Sequence, residues 1–181
     1  MFDLETDAGI ARLTLQREPV NAISAAWLEE FHGLLDALDA REDWRLLHLR
    51  SAQKVFCAGA DLAEMRACLV RAGGADAMVA TAAGMQDLFA RLEALPQVTL
   101  AELGGAGRGT RTMGGAARAE ALAAPVAALP GAALRACKSC IAAAGDPQPN
   151  GYDEELAQSC RLYLDETTRQ RVAAFLAGEL S

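Results

Sequence analysis

Residues 10 to 15, IARLTL, set Ala11, Leu13 and Leu15 on one side of an extended chain and Arg12 and Thr14 on the other. That two-residue period predicts a half-buried strand. From Ser24 the period changes: Trp27, Leu28, Phe31, Leu34, Leu35 and Leu38 recur at three and four, sharing one helix face with Ser24 as the expected N-cap. Trp44 to Arg50, with Leu46, Leu47 and Leu49, predicts a second strand. Asp61-Leu-Ala-Glu64 opens a second helix with acidic residues in its first turn, where the helix dipole favours them. After small residues around Gly73-Gly74, a third helix is predicted through Met85, Leu88, Phe89, Leu92 and Leu95. Pro96 stops it, and VTLAEL is the next candidate strand. Strands alternating with helices in this order predict an α/β unit with parallel strands.

The stretch GGAGRGTRTMGGAARAEAL breaks the pattern and reads as a flexible loop. Its six glycines between 104 and 115 would let a backbone approach a ligand, as phosphate loops do. Phosphate-loop motifs fail on spacing: Thr110 and Arg111 stand where Lys and then Ser or Thr are needed, and no G-x-G-x-x-G can be laid down. Beyond it the pattern is helical: LPGAALRACKSCIAAA, then YDEELAQSCRLYL with Leu156, Cys160, Tyr163 and Leu164 on one face, then a last helix with Val172, Phe175 and Leu176.

Composition narrows the function. A chain of 181 residues, 52% hydrophobic and 23% charged, is long enough for one substantial core. Its formal net charge of -7 opposes a nucleic-acid partner, and Arg108, Arg111 and Arg118 have no interleaved aromatics to offset it. No apolar run reaches the ~18 residues of a membrane span, and MFDLETDAG lacks the layout of a signal peptide. The expectations are therefore no nucleic acid, no membrane and a cytoplasmic location. Five cysteines, at 57, 68, 137, 140 and 160, form an odd set expected to stay reduced. Cys137 and Cys140 have half-site spacing, but neither His32 nor His48 completes a motif, and a tetrahedral site needs four ligands. No metal is expected.

KVFCAGADL, residues 54 to 62, places Ala58-Gly59-Ala60 between an apolar run and the helix opening at Asp61. Side chains that small have little chemistry, so a function there must act through the backbone. The succession IARLTLQREPVNAIS, helix, strand, KVFCAGADLAEM resembles the N-terminal half of the enoyl-CoA hydratase/isomerase (crotonase) family, over residues 1 to about 106. GAGRGTR is similar to a later Gly-rich turn of that family, and the tail from Leu129 to its C-terminal helices. The resemblance implies an α/β, crotonase-like (ClpP/crotonase) spiral of ββα units with a C-terminal helical region. It also implies an acyl-CoA enzyme that hydrates, or migrates the double bond of, a 2-enoyl thioester through an enolate. By the same resemblance the Ala60 amide donates to the thioester oxygen and the Ala58 carbonyl meets the adenine of coenzyme A. Val20, Ala22, Ala58, Gly59, Asp61 and Leu62 would line the coenzyme A path, with Arg17 placed to meet its phosphates. The only cofactor implied is coenzyme A itself, as part of the substrate, and the assembly implied is a homotrimer or a dimer of trimers.

The departures are as informative as the match. The family follows such a strand with glycines giving a second oxyanion amide and then two glutamates, whereas this chain passes from Gly104-Gly105-Ala106 almost directly to Gly107-Arg-Gly-Thr. Gly107 or Gly109 could imitate the glycine run, and Glu102 is the nearest carboxylate, expected inside the strand. Glu64 and Glu120 are expected as solvated helix charges. The expected division is residues 1–128, an α/β core incomplete between about 106 and 107, and 129–181, a helical region. Either the chain is a shortened relative that binds acyl-CoA, as a non-catalytic or scaffold subunit, or segments of a longer protein are missing from it. Exposing the neighbouring turns of a spiral costs many times the ~0.8 kcal/mol per CH₂, against a total stability of about 5–15 kcal/mol, which favours the second explanation.

Overall fold

The alternation at residues 10 to 15 is the second strand of a hairpin, not the first strand of the chain. In the computed structural model, which describes residues 1–103, 115–144 and 151–177, β1 (Phe2–Asp7) pairs antiparallel with β2 (Ile10–Leu15). The turn between them, Ala8-Gly9, has φ of 48° and 79°, the positive pair that a two-residue hairpin favours. Phe2, Leu4 and Thr6 are half-buried while Asp3, Glu5 and Asp7 face outward. β3 (Leu46–Ser51) and β4 (Val98–Ala101) add in parallel, giving the order β1-β2-β3-β4. The parallel part of the expectation holds, and the hairpin is added to it.

One sheet face, Ala11, Leu13, Leu15, Leu47 and Leu49, packs on α1 (Ala25–Asp39) through Trp27, Phe31, Leu35 and Leu38, all buried. Ser24 caps α1 as expected, accepting from the Trp27 amide at 3.2 Å. Trp44 precedes β3 instead of belonging to it: its indole donates to the Leu38 carbonyl at 2.8 Å, filling one of the acceptors that a helix C-terminus leaves open. Phe2, Trp27 and Phe31 cluster with ring centroids 4.9–5.2 Å apart, the spacing at which aromatic pairs add to their burial. α2 (Leu62–Leu69) and α3 (Gly74–Ala94) follow β3. Leu88 and Leu95 turn inward, whereas Phe89 is 55% exposed.

The other sheet face is covered by an element the sequence did not predict. Residues read as loop form α4 (Gly115–Ala127), whose Ala123 and Ala127 pack on Ile10 and Leu46. Alanine has the highest helix propensity, and the helix runs on through Pro125 although proline removes one of its hydrogen bonds and crowds the preceding turn. Arg12 of β2 pairs with Glu120 of α4, so Glu120 is not simply solvated. α5 (Gly131–Ala143), α6 (Gly151–Leu164) and α7 (Glu166–Leu176) complete the chain. Among the described residues no single helix is long and apolar enough to cross a membrane; α4 and α5 pass only as a pair, bent by 106°.

The Cys137-Lys-Ser-Cys140 run has a structural use. Lys138 donates to the carbonyls of Leu95, Gln97 (2.9 Å) and Glu93 (3.4 Å), tying α5 to the end of α3. Burial holds its ammonium pKa below the usual lysine range, with Glu93 opposing. Lys138→Met keeps the stem and removes the charge, leaving these carbonyls short of donors. Chemical denaturation should show a loss of roughly 1–3 kcal/mol; an unchanged midpoint would mean that α5 is held by packing alone.

Candidate functional site

Two loop segments meet edge to edge beyond the sheet, and their junction begins with a buried amide. Asn21 sits in the left-handed region at φ 51°, which Asn tolerates better than most residues, and is fully buried. Its Oδ1 accepts from the Arg17 amide at 2.8 Å, and its Nδ2 donates to Ser51 Oγ at 2.8 Å and to the Phe56 carbonyl at 3.0 Å. The Arg17–Ala22 turn, which contains a cis Glu18-Pro19 bond, is thereby fastened to the segment following β3. Backbone bonds continue the seam. The Ala58 amide donates to the Val20 carbonyl at 3.0 Å, the Ile23 amide to the Gly59 carbonyl at 2.8 Å, and the Asp61 amide to the Ile23 carbonyl at 2.8 Å. Cys57 closes the near side, its thiol donating to the Asn21 carbonyl at 3.1 Å while Sγ accepts from the Gly59 amide at 3.4 Å.

This pairing determines where Ala60 points. Ile23 and Ala60 form a parallel bridge in which Ile23 bonds to Gly59 and Asp61, the neighbours of Ala60. In such a bridge the amide and carbonyl of Ala60 are turned the other way. Among the described residues the Ala60 amide has no acceptor and the Ala58 carbonyl no donor. Gly59 has φ 91°, and a Cβ there would meet nothing within 4 Å. Backbone conformation, not crowding, is what demands glycine.

Asp61 starts α2, its Oδ1 accepting from the amides of Ala63 (2.8 Å) and Glu64 (3.1 Å). Its other oxygen meets Arg17 Nη2, while Arg17 Nη1 donates to the Ala22 carbonyl. The Arg17 guanidinium, aided by the Glu64 and Ala63 amides, holds the Asp61 carboxyl below its usual range. Arg17, the residue expected to meet coenzyme A phosphates, joins the two segments here by pairing with Asp61 and the Ala22 carbonyl. Glu64 is not merely solvated either, because its carboxylate accepts from the Ala25 amide at 3.1 Å, at the start of α1.

Beside Ala60 a cavity of about 130 Å³ opens between α2 and α3, lined chiefly by Ile23, Met65, Cys68, Met78, Ala82 and Met85. Leu62 faces away from packing at 76% exposure. Asp61 and Glu64 are the carboxylates at the cavity. Glu102 lies just past β4, outside the strand in which it was expected, and pairs with buried His48 at 3.1 Å between Oε2 and Nε2; neither lines this cavity. Gly104, Gly105, Ala106, Gly107 and Gly109, with the expected second oxyanion amide, lie outside the described residues. Among the described residues no group of three or more His, Cys, Asp or Glu side chains is placed to hold a metal, and all five cysteines are free.

A family model described as enoyl-CoA hydratase/isomerase matches residues 5–117. A Bacillus subtilis (strain 168) protein named "Probable enoyl-CoA hydratase" is 31% identical over 108 residues, 60% of this chain and 40% of the relative. The chain thus spans about two fifths of the length of the curated relatives it matches. Its fold is similar to that of Pseudomonas aeruginosa DspI, with a TM-score of 0.82 and 20% identity over 98% of this chain and 94% of the other. The enoyl-CoA hydratase of Bacillus anthracis gives a TM-score of 0.80 at 17% identity over 98% and 96%. The crotonase-like fold is the fold of this chain.

Two substitutions test the junction. Asn21→Ala leaves the Arg17 amide and Phe56 carbonyl unpaired and puts alanine in the left-handed region, so denaturation should show a loss of roughly 3 kcal/mol or more. Asn21→Gly, which tolerates that φ, should recover only the backbone part. The second test uses pH. Because folding depresses the Asp61 pKa, its contribution is fully present above the unfolded value of about 3.9 and is lost as pH falls through the lower folded value. Asp61→Asn keeps a capping side chain and should flatten the acid limb of the stability profile below about pH 4; a limb identical to that of the wild type would show that Asp61 is not the group responsible.

Proposed function

Because the chain belongs to the enoyl-CoA hydratase/isomerase family, we propose that it binds an acyl-CoA thioester with the carbonyl oxygen on the Ala60 amide. The acyl group then enters the cavity between α2 and α3, and a 2-enoyl thioester reacts through an enolate by hydration or double-bond migration. One observation carries this reading: the Ala60 amide has no partner within the described residues and borders an apolar cavity. A positioned amide lowers the barrier to a developing oxyanion by an amount worth about 10²–10³ in rate. The N-terminal end of α2, starting immediately after it, adds favourable potential. In this reading the Ala58 carbonyl accepts from the adenine, and Val20, Ala22, Gly59, Asp61 and Leu62 flank the path of the cofactor portion. A homotrimer or a dimer of trimers fits the exposed Ile141, Leu156 and Leu164 of the C-terminal helices, each at least 70% exposed. Tyr163, Phe175 and Leu176, expected on the same apolar stripes, have side chains outside the described residues.

A second reading, a non-catalytic acyl-CoA binding subunit, is favoured by the carboxylates. Of the two at the cavity, Asp61 is engaged by Arg17 and two amides, and Glu64 by the start of α1. Turnover of crotonyl-CoA by the purified chain separates the two readings.

Their shared premise is tested by the carbonyl stretch of a bound enoyl-CoA, which should fall in frequency when the Ala60 amide polarises it. Ala60→Pro removes that donor and no hydrogen bond of the seam but also fixes the backbone there, so the variant, once its fold is verified by circular dichroism, should lose the shift, whereas Cys57→Ser should retain it. An unshifted carbonyl in the ligand-saturated wild type would reduce the Ala58-Gly59-Ala60 turn to a connection.

A further inference from the structure

The cavity beside Ala60 shares three lining residues, Glu64 and Cys68 of α2 and Thr81 of α3, with a second cavity of about 540 Å³. Beyond those three, the larger space is bounded by the start of α1 at Ala25 and Leu28, by Arg71, and by Gly84 on α3. Glu64, Cys68 and Thr81 therefore border both a smaller, mainly apolar space and a larger one. Resting on the function proposed above, we infer that Cys68 and Thr81 set the length of the acyl group this chain accepts, restricting it to short, apolar chains.

Size gives the limit. A dry apolar cavity of about 150 Å³ holds one benzene molecule, so a chamber of about 130 Å³ accommodates about five carbons. Chemistry gives the class. Met65, Met78, Met85, Ala82 and Ile23 offer carbon and thioether surface, and the Thr81 hydroxyl already donates to the Ala77 carbonyl at 3.1 Å. A carboxylated acyl end would leave water to face the Asp61 and Glu64 carboxylates and a Thr81 hydroxyl whose proton is already committed. The three methionines are flexible enough to adapt to a chain's width. Length is different, because Cys68 is buried at 8% exposure and Glu64 is held to the Ala25 amide, so a longer chain must displace packed or tethered groups.

The test is a dissociation-constant series of butyryl-, hexanoyl-, octanoyl- and decanoyl-CoA against free coenzyme A, by calorimetry on the full chain. Each methylene that enters should tighten binding about four-fold, so the series should steepen to hexanoyl-CoA and then level or reverse. Cys68→Ala, or Thr81→Ala if the first variant melts early, joins the chambers and should raise the ratio of decanoyl to butyryl affinity about ten-fold or more. Ala82→Leu fills the first chamber and should move the break below hexanoyl-CoA. A smooth rise through decanoyl-CoA in the wild type, or a break unmoved by every variant, overturns this limit on length. A chain that binds no thioester better than coenzyme A overturns the proposed function together with this inference.

Discussion

The amide side chain of Asn21 is the constraint on which the rest of the site depends. It joins the Arg17 amide, the Ser51 hydroxyl and the Phe56 carbonyl in a fully buried place where an unmade bond would cost about 1–3 kcal/mol. Once the turn is fixed, Val20, Ile23, Gly59 and Asp61 can exchange backbone bonds. Strand pairing alternates, so satisfying Gly59 and Asp61 with Ile23 leaves Ala60 turned outward. The open amide is a consequence of the seam's register. A one-residue slip would bury it in the ladder and expose its neighbours instead.

Charge is arranged around the same point. α1 and α2 begin within hydrogen-bonding reach of one another, since Glu64 of α2 accepts the Ala25 amide, and two positive helix ends facing one space attract anions. The protein meets part of that demand with Asp61 and Glu64, then offsets Asp61 with Arg17. The Arg17–Asp61 pair has side-chain exposures of 25% and 14%, so its worth lies in holding geometry as much as in attraction. Removing either partner disturbs the turn and the helix cap together.

How much of this was legible in the sequence depends on which kind of signal each element carried. α1 was readable because Trp27, Phe31, Leu35 and Leu38 repeat on one face and Ser24 caps them; β2 and β3 were readable because one side of each is apolar. β1 was not, since FDLETD alternates two apolar residues with three acids and becomes a strand only by pairing with β2. α4 was hidden behind the glycines that precede it and Pro125 within it, and its packing uses small alanines that have little hydrophobic contrast. Of the site, KVFCAGADL and the VNA turn marked the right segments. Local pattern could not give Arg17 its partner 44 positions away, nor show that Asn21, never singled out as a site residue, joins the segments. A Pro-Val-Asn-Ala run before a helix was the available signal, and it points to a turn without saying what the turn holds.

The character of the packing separates the two sides of the sheet. On the side of α1 the apolar residues form one continuous cluster from Ala11 to Leu95, and every segment that builds the Ala60 turn is anchored to it. On the other side α4 covers Ile10 and Leu46, but further along the strands the face carries Arg12, Thr14, His48 and Arg50, paired with Glu120, Glu102 and Glu5. Among the described residues His48 Nδ1 on that face, like Trp27 Nε1 on the α1 side, is buried without a partner, each a group whose desolvation is not repaid. A site that polarises a carbonyl needs rigid backbone, and the Ala60 turn proposed for that role is joined to the α1 side by backbone bonds from Val20 and Ile23. In the proposed reading, the groups that would hold the acyl thioester all lie within residues 17 to 85.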